Sequence, residues 1–411
     1  MSFARLDVVL QEATRTVAPA IVCRIERRGE VVYEAAYGSI VPWDSESRIT
    51  AACLFDLASV TKLFTTTACL RLCTDGKLSL DMPVAEIVPE FGGERPIGAT
   101  EDPITKLPVP ASAYWQSISG AVDAGAITVR HLLTHTSGLP AWRNVFSACG
   151  EPPAAGNTLS SAEIAQRQEQ GLAAICAYNF AYAPGLSYAY SDVGLILLGA
   201  VVDKAHGQKR LDVAIRELVT SPLGLGACFN PSLDHFDFVA PTEYCPWRGR
   251  RLHGEVHDEN AAGLGGIAGH AGLFGTAEDL CRLGQVYLRN GENLLDAVLV
   301  QESVRCQIAA NTPGEPLFDP EQPCATPDPE TRRGLGWMLP TNGSSCGPEW
   351  GRNGFGHTGY TGTSLWCDPD RDITMALLTN RVYWGRDPEP VYRLRTLAHS
   401  LVASALAGGP L

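Results

Sequence analysis

The sequence predicts an α+β fold in which strands from both ends of the chain build one antiparallel sheet around a mostly helical insertion. Residues 20–26 and 31–37 are apolar, β-branched runs separated by an Arg-Arg-Gly-Glu turn, a pattern typical of a hairpin. Near the other end, residues 363–367 and 373–378 flank the turn sequence Asp-Pro-Asp-Arg-Asp. Each end therefore supplies a hairpin to the sheet.

Helical patterns occur at both ends and dominate the middle of the chain. Residues 1–13 have amphipathic spacing and residues 391–407 have helical spacing, so these two helices are expected to cover one face of the sheet. The clear periodic segments in the middle are also helical. They are residues 129–133, 194–202, 211–218 and 277–288.

The 411-residue length favours two lobes over one core. We expect residues 1–58 and 330–411 to form the lobe with the sheet, residues 59–329 to form the helical lobe, and the active site to lie between them. Residues 92–125 and 312–333 are rich in proline and are expected to be long loops, which either roof a pocket or decorate the surface.

Composition excludes several kinds of partner. A net charge of −13 argues against nucleic acid, and no apolar run is long enough to cross a membrane. The 13 cysteines are odd in number and form no Cys-x-x-Cys pair, which favours a reducing compartment. The N-terminus lacks the pattern of an export signal, so a cytoplasmic location is expected.

A buried helix spanning residues 55–72 is predicted to carry the chemistry. Ser59 would lie in its first turn, and Lys62, three residues on, would share its face. The positive end of the helix dipole should disfavour an ammonium there and favour a developing oxyanion. Lysine occurs at just five positions among the 32 basic residues, so the chain has placed a cation able to lose its proton inside an apolar helix. Ser-x-x-Lys alone is nevertheless a pattern expected by chance about once in such a chain.

Three further stretches strengthen this signal. In residues 184–194 a turn leads through Tyr190 and Asp192 into a helix, although Asp192 could simply be the N-cap and Tyr190 a packed ring. Residues 356–364 are rich in glycine and enter a strand, where a backbone N–H can face a substrate oxygen. Residues 127–140 show no catalytic logic and are interpreted as a helix exit held by local hydrogen bonds.

Ser59-Val60-Thr61-Lys62, Tyr190-Ser191-Asp192 and His357-Thr358-Gly359, in this order, resemble the three signatures of the class C β-lactamase and penicillin-binding-protein-like serine hydrolases. That family also includes D-alanyl carboxypeptidases and carboxylesterases. The resemblance extends over almost the whole chain, and further segments are similar to recurrent family segments: residues 75–81, 135–140, 222–225, 269–274 and 378–381. It implies a β-lactamase/transpeptidase-like fold with the site between sheet and helical lobe.

The resemblance also implies roles. Ser59 would attack a carbonyl to give an acyl-enzyme, while Lys62 and Tyr190 would share proton transfer. The backbone N–H groups of Ser59 and Tyr360 would form the oxyanion hole. His357 would attract a carboxylate if protonated or hydrogen-bond if neutral. The implied substrate-binding residues are Asp192, His357, Thr358 and Gly359. No metal and no cofactor is expected.

Two departures from the family pattern bear on the substrate. Asp192 replaces the usual asparagine; a carboxylate only accepts hydrogen bonds and would repel an acidic substrate. His357 replaces lysine, as in some peptidases and esterases of the family. With the missing export signal, these favour an esterase or amidase acting on small intracellular substrates. The alternatives are a β-lactamase or D-alanyl-D-alanine carboxypeptidase, and a non-hydrolytic penicillin-binding sensor.

Two rival sites are weaker. Residues 343–347 match Gly-x-Ser-x-Gly, but prolines at 340 and 348 indicate a loop instead of the strand and helix which that elbow requires. His253, His257, Asp258 and His270 could suggest zinc, but the first two lie among glycines and not on a clean helix.

Overall fold

The computed structural model of the chain describes residues 2–42, 47–102, 105–118, 120–232, 237–308, 331–341 and 343–407. A 3₁₀ turn, Ala58–Val60, precedes the helix at Thr61–Thr74, and a π-helical stretch, Arg216–Thr220, joins the helix Leu211–Ile215 to the helix Ser221–Leu223. The helices are α1 Ala4–Thr16, α2 Thr61–Thr74, α3 Val84–Ile87, α4 Ala113–Ile118, α5 Val129–Leu133, α6 Ser161–Ala177, α7 Asp192–Ala205, α8 Leu211–Ile215, α9 Ser221–Leu223, α10 Glu259–Gly263, α11 Ala277–Leu288, α12 Ala297–Ser303 and α13 Glu389–Ala407.

A five-stranded antiparallel sheet joins the two ends of the chain. Its order is β12-β13-β14-β1-β2, so the C-terminal hairpin pairs with the N-terminal one through β14 and β1, as predicted. The strands of the chain are β1 Ala20–Arg27, β2 Glu30–Gly38, β3 Phe55–Asp56, β4 Glu94–Pro96, β5 Thr100–Glu101, β6 Pro108–Val109, β7 Ala121–Asp123, β8 Cys228–Phe229, β9 Tyr244–Cys245, β10 Arg250–Arg251, β11 Leu273–Gly275, β12 Phe355–Thr358, β13 Ser364–Asp368 and β14 Ile373–Thr379.

Helices cover both faces of this sheet. Successive side chains of a strand point to opposite faces, and the alternate residues Ile21, Cys23 and Ile25 of β1 pack with α1 and α13, as predicted. Ala20 and Val22 face the larger core that α2 and α11 share. Helix α11 falls within the stretch expected in the helical lobe, yet it packs on the sheet. The lobe boundary at residue 330 lies outside the described residues and stays a prediction.

Several elements of the middle region differ from the sequence-based expectation. The helix predicted over residues 55–72 instead begins as the short strand β3, which joins β11 and β8 in a three-stranded sheet before the chain turns into α2. Helix α6 was not predicted, although Ser160 and Glu163 form a reciprocal capping box at its start. The four segments that were predicted helical are helical, in α5, α7, α8 with the π-stretch, and α11.

Much of the first proline-rich loop is ordered by two short strand pairs. β4 pairs with β7, and β5 pairs with β6 as a hairpin. Lys106, in the turn of that hairpin, lies 3.6 Å from the ring centroid of Trp142. Residues 312–330 of the second loop lie outside the described residues. In the described residues we find no helix that is long and apolar enough to cross a membrane.

Gly269 allows a close backbone approach that shapes the functional region. A Cβ on this residue would lie 2.2 Å from the Leu195 carbonyl oxygen and 2.9 Å from Gly199 of α7. The segment after Gly269 therefore runs against α7, where its carbonyl groups reach α2: Gly269 O accepts a hydrogen bond from Thr65 Oγ1 at 2.9 Å. Because Gly269 has no side chain, residues 269–270 can lie against α7 and contact α2.

Replacing Gly269 with alanine should destabilise the fold by about 2 kcal/mol, because overpacking against backbone atoms forces the segment away from α7. The matched control is Gly226→Ala, whose added Cβ would have its nearest neighbour, Asp279 Oδ1, at 4.0 Å. Urea unfolding of both variants measures the difference. Equal midpoints would contradict the close approach described here.

Candidate active site

Ser59 and Lys62 meet at the start of α2. The 3₁₀ turn carries Ser59, and one turn of α2 places Lys62 Nζ 2.9 Å from Ser59 Oγ. The Lys62 side chain is 1% exposed, and its nitrogen also donates to His270 O at 3.1 Å. The predicted serine and lysine are therefore brought together within the core, with Ser59 itself partly exposed.

The backbone immediately before Ser59 is strained and held in place. Ala58 has a φ of 47°, a left-handed conformation that is uncommon for alanine. The buried Asp56 carboxylate fixes it, because Oδ1 accepts from the Ala58 N–H at 2.8 Å and Oδ2 accepts from the His257 N–H at 2.6 Å. Burial raises the pKa of Asp56, although these two N–H groups oppose the rise. Sequence reasoning missed Asp56 because its role depends on contacts formed in the fold.

The turn after β12 is fastened to the same backbone. Thr361 Oγ1 donates to Asp56 O at 2.7 Å, and Thr363 Oγ1 donates to Leu57 O at 2.9 Å. The buried Arg395 of α13 donates to the carbonyl groups of Gly359 and Thr363 from the other side. These contacts fix the turn that contains Tyr360 beside the Ser59 turn.

The Tyr360 N–H is available to a ligand. It makes no hydrogen bond within the described part of the chain. The side chain of Tyr360 is 43% exposed. An N–H fixed in position and left unpaired is suited to an oxyanion, as the resemblance implied for Tyr360.

Tyr190, Ser191 and Asp192 lie at the entrance of α7. Ser191 is the N-cap, because its Oγ accepts from Gly194 N at 2.9 Å, so the alternative of Asp192 as a simple N-cap is wrong. The Asp192 carboxylate instead lies 2.8 Å from Lys62 Nζ. The Tyr190 ring is also close, with its centroid 4.8 Å from the same nitrogen.

The Lys62–Asp192 pair overturns the expectation that the site disfavours an ammonium. Burial lowers the pKa of Lys62, but the attraction of Asp192 and the contact with Tyr190 outweigh it, so the pKa of Lys62 is raised. The charge of Asp192, which the linear sequence does not place beside the lysine, reverses the effect expected from the helix dipole. Lys62 is therefore charged in the resting protein. Its Nζ contacts three oxygen atoms: Ser59 Oγ, His270 O and Asp192 Oδ1.

His357 is neutral and lies beside Tyr190, with the two ring centroids 6.0 Å apart. Burial, reinforced by the charges of Lys62 and Arg333, holds the pKa of His357 well below its usual value. Its Nδ1 lies 2.9 Å from Thr358 O, while its buried Nε2 has no partner in the described residues. Of the two modes expected for His357, the structure thus supports hydrogen bonding and not attraction of a carboxylate. Thr358 and Gly359 follow directly along the chain.

His135, in the polar stretch interpreted as a helix exit, supports the Tyr190 segment. The exit is formed locally, with Thr134 and Thr136 hydrogen-bonded at 2.8 Å. Beyond this, His135 Nδ1 accepts from the Ser191 N–H at 3.0 Å, and its ring lies 4.7 Å from the Tyr190 ring. Burial holds the pKa of His135 well below its usual value, so the nitrogen remains an acceptor. Residues 135 and 191 are far apart in the chain, so this contact is not visible in the sequence.

Within the described residues, neither rival site has the arrangement that its chemistry requires. The Gly-x-Ser-x-Gly serine, Ser345, is buried in a turn region without the flanking strand and helix. Among the histidines, His257 pairs with Glu243 at 3.1 Å and His270 pairs with Asp258 at 2.8 Å. No group of three candidate metal ligands occurs within the described ranges.

A helix-covered antiparallel sheet with this serine, lysine and tyrosine at one cleft is the arrangement of a serine hydrolase. The profile of the beta-lactamase family matches residues 8–400, so the chain belongs to this family of serine hydrolases. Both the resemblance and the fold predicted from the sequence are confirmed.

Two relatives in sequence and one solved structure of similar fold can be compared with this chain. An Escherichia coli (strain K12) protein assigned as a D-alanyl-D-alanine carboxypeptidase is 29% identical over 392 residues, 88% of this chain and 78% of the relative. A Bacillus subtilis (strain 168) N-acetylmuramyl-L-alanine amidase is 28% identical over 406 residues, 92% and 80% of the two chains. The solved structure of EstCE1, a hydrolase with promiscuous acyltransferase activity, has a TM-score of 0.65 at 23% identity, covering 95% of this chain and 97% of its own.

Replacing Asp192 with asparagine should cost about 3 kcal/mol of unfolding free energy at pH 6, because a buried ammonium loses its counter-charge. Without the charge of Asp192, burial would lower the pKa of Lys62 below its value in the unfolded chain. Stability of the variant should therefore rise with pH as Lys62 loses its proton, so the deficit relative to wild type shrinks toward pH 9.5.

Urea unfolding between pH 6 and 9.5 measures this effect. The control is Asp75→Asn, which removes the 3.1 Å pair with Arg71 at the other end of α2, where both side chains are 30% exposed. That change should cost less than about 1 kcal/mol at every pH. A pH-independent deficit in Asp192→Asn would contradict a charged Lys62.

If Tyr190 transfers protons as the resemblance implies, replacing His135 with leucine should lower kcat about 100-fold with little change in KM, because Tyr190 loses its support and small misplacements of a reacting group are costly. His135→Asn should restore most of the rate, since its amide oxygen can accept from Ser191 N–H and asparagine tolerates the φ of 59° at this position. Ester kinetics on variants with matched melting temperatures test this. If asparagine rescues nothing, the hydrogen bond does not position Tyr190.

Proposed function

We propose that this protein hydrolyses small esters through a covalent acyl-Ser59 intermediate. The observation that supports it most is the 2.9 Å contact between Ser59 Oγ and the buried Lys62 Nζ, beside the unpaired N–H of Tyr360. The chemistry joins a nucleophile, a proton carrier and an oxyanion donor in one cleft. Small-molecule esters fit such a partly exposed serine, and amides are the second candidate because two relatives are named for amide-bond substrates.

The proton steps follow from the protonation of Lys62. Ser59 Oγ attacks the carbonyl carbon and gives its proton to Lys62, which releases one of its own to Asp192 across 2.8 Å. The Tyr190 hydroxyl donates a proton to the leaving oxygen, and the proton on Asp192 returns through Lys62 to Tyr190. The bond from Ser59 Oγ to the carbonyl carbon replaces the bond to the alcohol, and every proton is accounted for. In the second half-reaction water attacks the acyl-enzyme, the same proton transfers run in the opposite direction, and the acid is released.

Asp192 also bears on substrate choice. Its charge is compensated by Lys62, so the repulsion of acidic substrates expected from the sequence is weaker than a free carboxylate would produce. A carboxylate still offers no hydrogen-bond donor to a substrate amide, such as the usual asparagine would provide, which supports esters over β-lactams. A cytoplasmic location is part of the proposal and is supported by the twelve described cysteines, all of them unpaired.

The wild-type protein should hydrolyse p-nitrophenyl acetate and butyrate, and Ser59→Ala should lose at least about 1000-fold in kcat because no acyl-enzyme can form. Burst kinetics and a mass spectrum of quenched protein measure rate and adduct together. An acyl adduct on wild type that is missing in Ser59→Ala would support the mechanism.

Two outcomes would contradict the proposal. An adduct that never clears indicates a penicillin-binding sensor, particularly if nitrocefin acylates without turnover. Nitrocefin turnover far faster than ester turnover indicates a β-lactamase. The matched control is Ser345→Ala, which removes the hydroxyl of the rival Gly-x-Ser-x-Gly serine and should leave ester kinetics unchanged.

A further inference from the structure

Arg395 of α13 is buried behind the turn that carries the Tyr360 N–H. The residue is 7% exposed, and one nitrogen of its guanidinium, Nη2, donates to Gly359 O at 3.0 Å and to Thr363 O at 2.7 Å. Gly359 N also donates to Thr363 O at 2.7 Å, so the two ends of the turn are joined to each other. Arg395 therefore fastens both ends of the turn to α13.

The opposite side of the turn lies against the backbone that leads to Ser59. A Cβ on Gly359 would lie 2.5 Å from Leu57 O and 3.3 Å from the Cβ of Ala58. The turn is thus confined between this backbone and the guanidinium of Arg395. Its position relative to Ser59 is fixed from both sides.

The bond to Gly359 O also bears on the strength of the Tyr360 N–H as a donor. The Gly359 carbonyl and the Tyr360 N–H belong to the same peptide unit. In a trans peptide these two groups point in opposite directions, so the oxygen faces Arg395 and the N–H faces away from it. A hydrogen bond accepted by the oxygen of a peptide polarises its N–H, and a charged donor does so more than a neutral one.

The charge of Arg395 is not neutralised within the described ranges. No carboxylate there lies within ion-pair distance of it, and its buried Nε has no hydrogen-bond partner among the described residues. Burial, reinforced by the charge of Arg381, lowers the pKa of Arg395 to about 9, which leaves the group charged at pH 7. A buried cation without a counter-charge is costly for stability. Its position behind one peptide of the cleft indicates a role in the chemistry.

We propose that Arg395 is a positioning residue that holds the Tyr360 N–H in place and strengthens it as a donor to the oxyanion formed on the substrate carbonyl. This inference rests on the proposed function, in which Ser59 attacks that carbonyl. The negative charge on the oxygen develops only as the tetrahedral intermediate forms, so the effect of Arg395 should fall on kcat and not on substrate binding. Arg395 itself makes and breaks no covalent bond and transfers no proton.

The first test is Arg395→Gln, which removes the charge and keeps a neutral N–H donor. Because the charge that it removes is buried without a counter-charge, this variant should fold. For p-nitrophenyl butyrate, kcat should fall about 10- to 100-fold with KM within about threefold, which is less than the loss of a whole oxyanion donor.

An inhibitor measures the oxyanion directly. 1,1,1-Trifluoropentan-2-one carries the propyl group of the butyryl ester, and addition of a serine oxygen to its carbonyl gives a stable oxyanion. Its inhibition constant in Arg395→Gln should rise by the same factor as kcat/KM falls, because both depend on stabilising that charge. A change that only loosened the substrate pocket would raise KM instead.

Arg395→Lys separates charge from shape. Both hydrogen bonds of Arg395 come from one nitrogen, which an ammonium with three donors can replace. This variant should keep kcat and the inhibition constant within about fivefold of wild type, because it retains the charge. If Arg395→Gln does not fold, the proportion between kcat/KM and the inhibition constant is measured in Arg395→Lys.

Arg95→Gln is the matched control. Arg95 is likewise buried, at 9% exposed, and its guanidinium donates to backbone carbonyls, among them those of Phe91 and Ile175. None of these carbonyls belongs to the candidate site. This change should lower the melting temperature and leave both kcat and the inhibition constant unchanged.

Three results would overturn the inference: a kcat in Arg395→Gln equal to that of wild type, a loss of kcat/KM without a matching rise of the inhibition constant, or equal losses in Arg395→Gln and Arg395→Lys. Failure of the proposed function has a different signature. In that case neither hydrolysis of p-nitrophenyl butyrate nor inhibition by the trifluoroketone would depend on Ser59.

Discussion

The structure depends on a charge buried beside Ser59. Lys62 is 1% exposed, and an isolated ammonium so deep in the core would cost several kcal/mol. Asp192, on another helix and 130 residues further along the chain, compensates it at 2.8 Å. Helices α2 and α7 must therefore pack in one register for the protein to fold, and that register also places Tyr190 beside Lys62. The Lys62–Asp192 contact therefore both stabilises the fold and positions the groups of the site.

Hydrogen bonds to the backbone also fix the segments around Ser59. The left-handed Ala58 is tolerated because the Asp56 carboxylate accepts its N–H, and the turn at Tyr360 is tied to residues 56 and 57 by two threonine hydroxyls. Local strain beside a nucleophile persists only where the surroundings over-determine it. Here the three-stranded sheet, the five-stranded sheet and α13 all contribute to holding it.

The polar groups of the cleft divide into paired and unpaired sets. Lys62, Asp192 and Asp56 have partners within the protein, whereas the Tyr360 N–H and His357 Nε2 have none in the described residues. Polar groups of proteins are ordinarily satisfied, so these two, which lie beside Ser59 and Tyr190, can be satisfied by a bound substrate. The neutrality of His357 matters for the same reason, because a neutral imidazole can accept or donate without introducing another charge next to Lys62.

The sequence by itself determined the family, the sheet built from both termini, and the pairing of Ser59 with Lys62. These follow from local information: alternation along strands, helical periodicity, and a spacing of three residues that one helical turn converts into contact. The helix of the site was predicted to begin at residue 55, but α2 begins at Thr61, and β3 has too few residues to show a strand pattern in the sequence.

Only the tertiary structure decided the protonation of Lys62 and His357 and the support of Tyr190 by His135. Each depends on distances between segments far apart in the chain, such as residues 62 and 192 or 135 and 191. A pKa is set by burial and by neighbouring charges, and a linear sequence specifies neither. The sequence therefore indicates which groups take part in the chemistry, while the packing of helices and strands sets their charge and their reach.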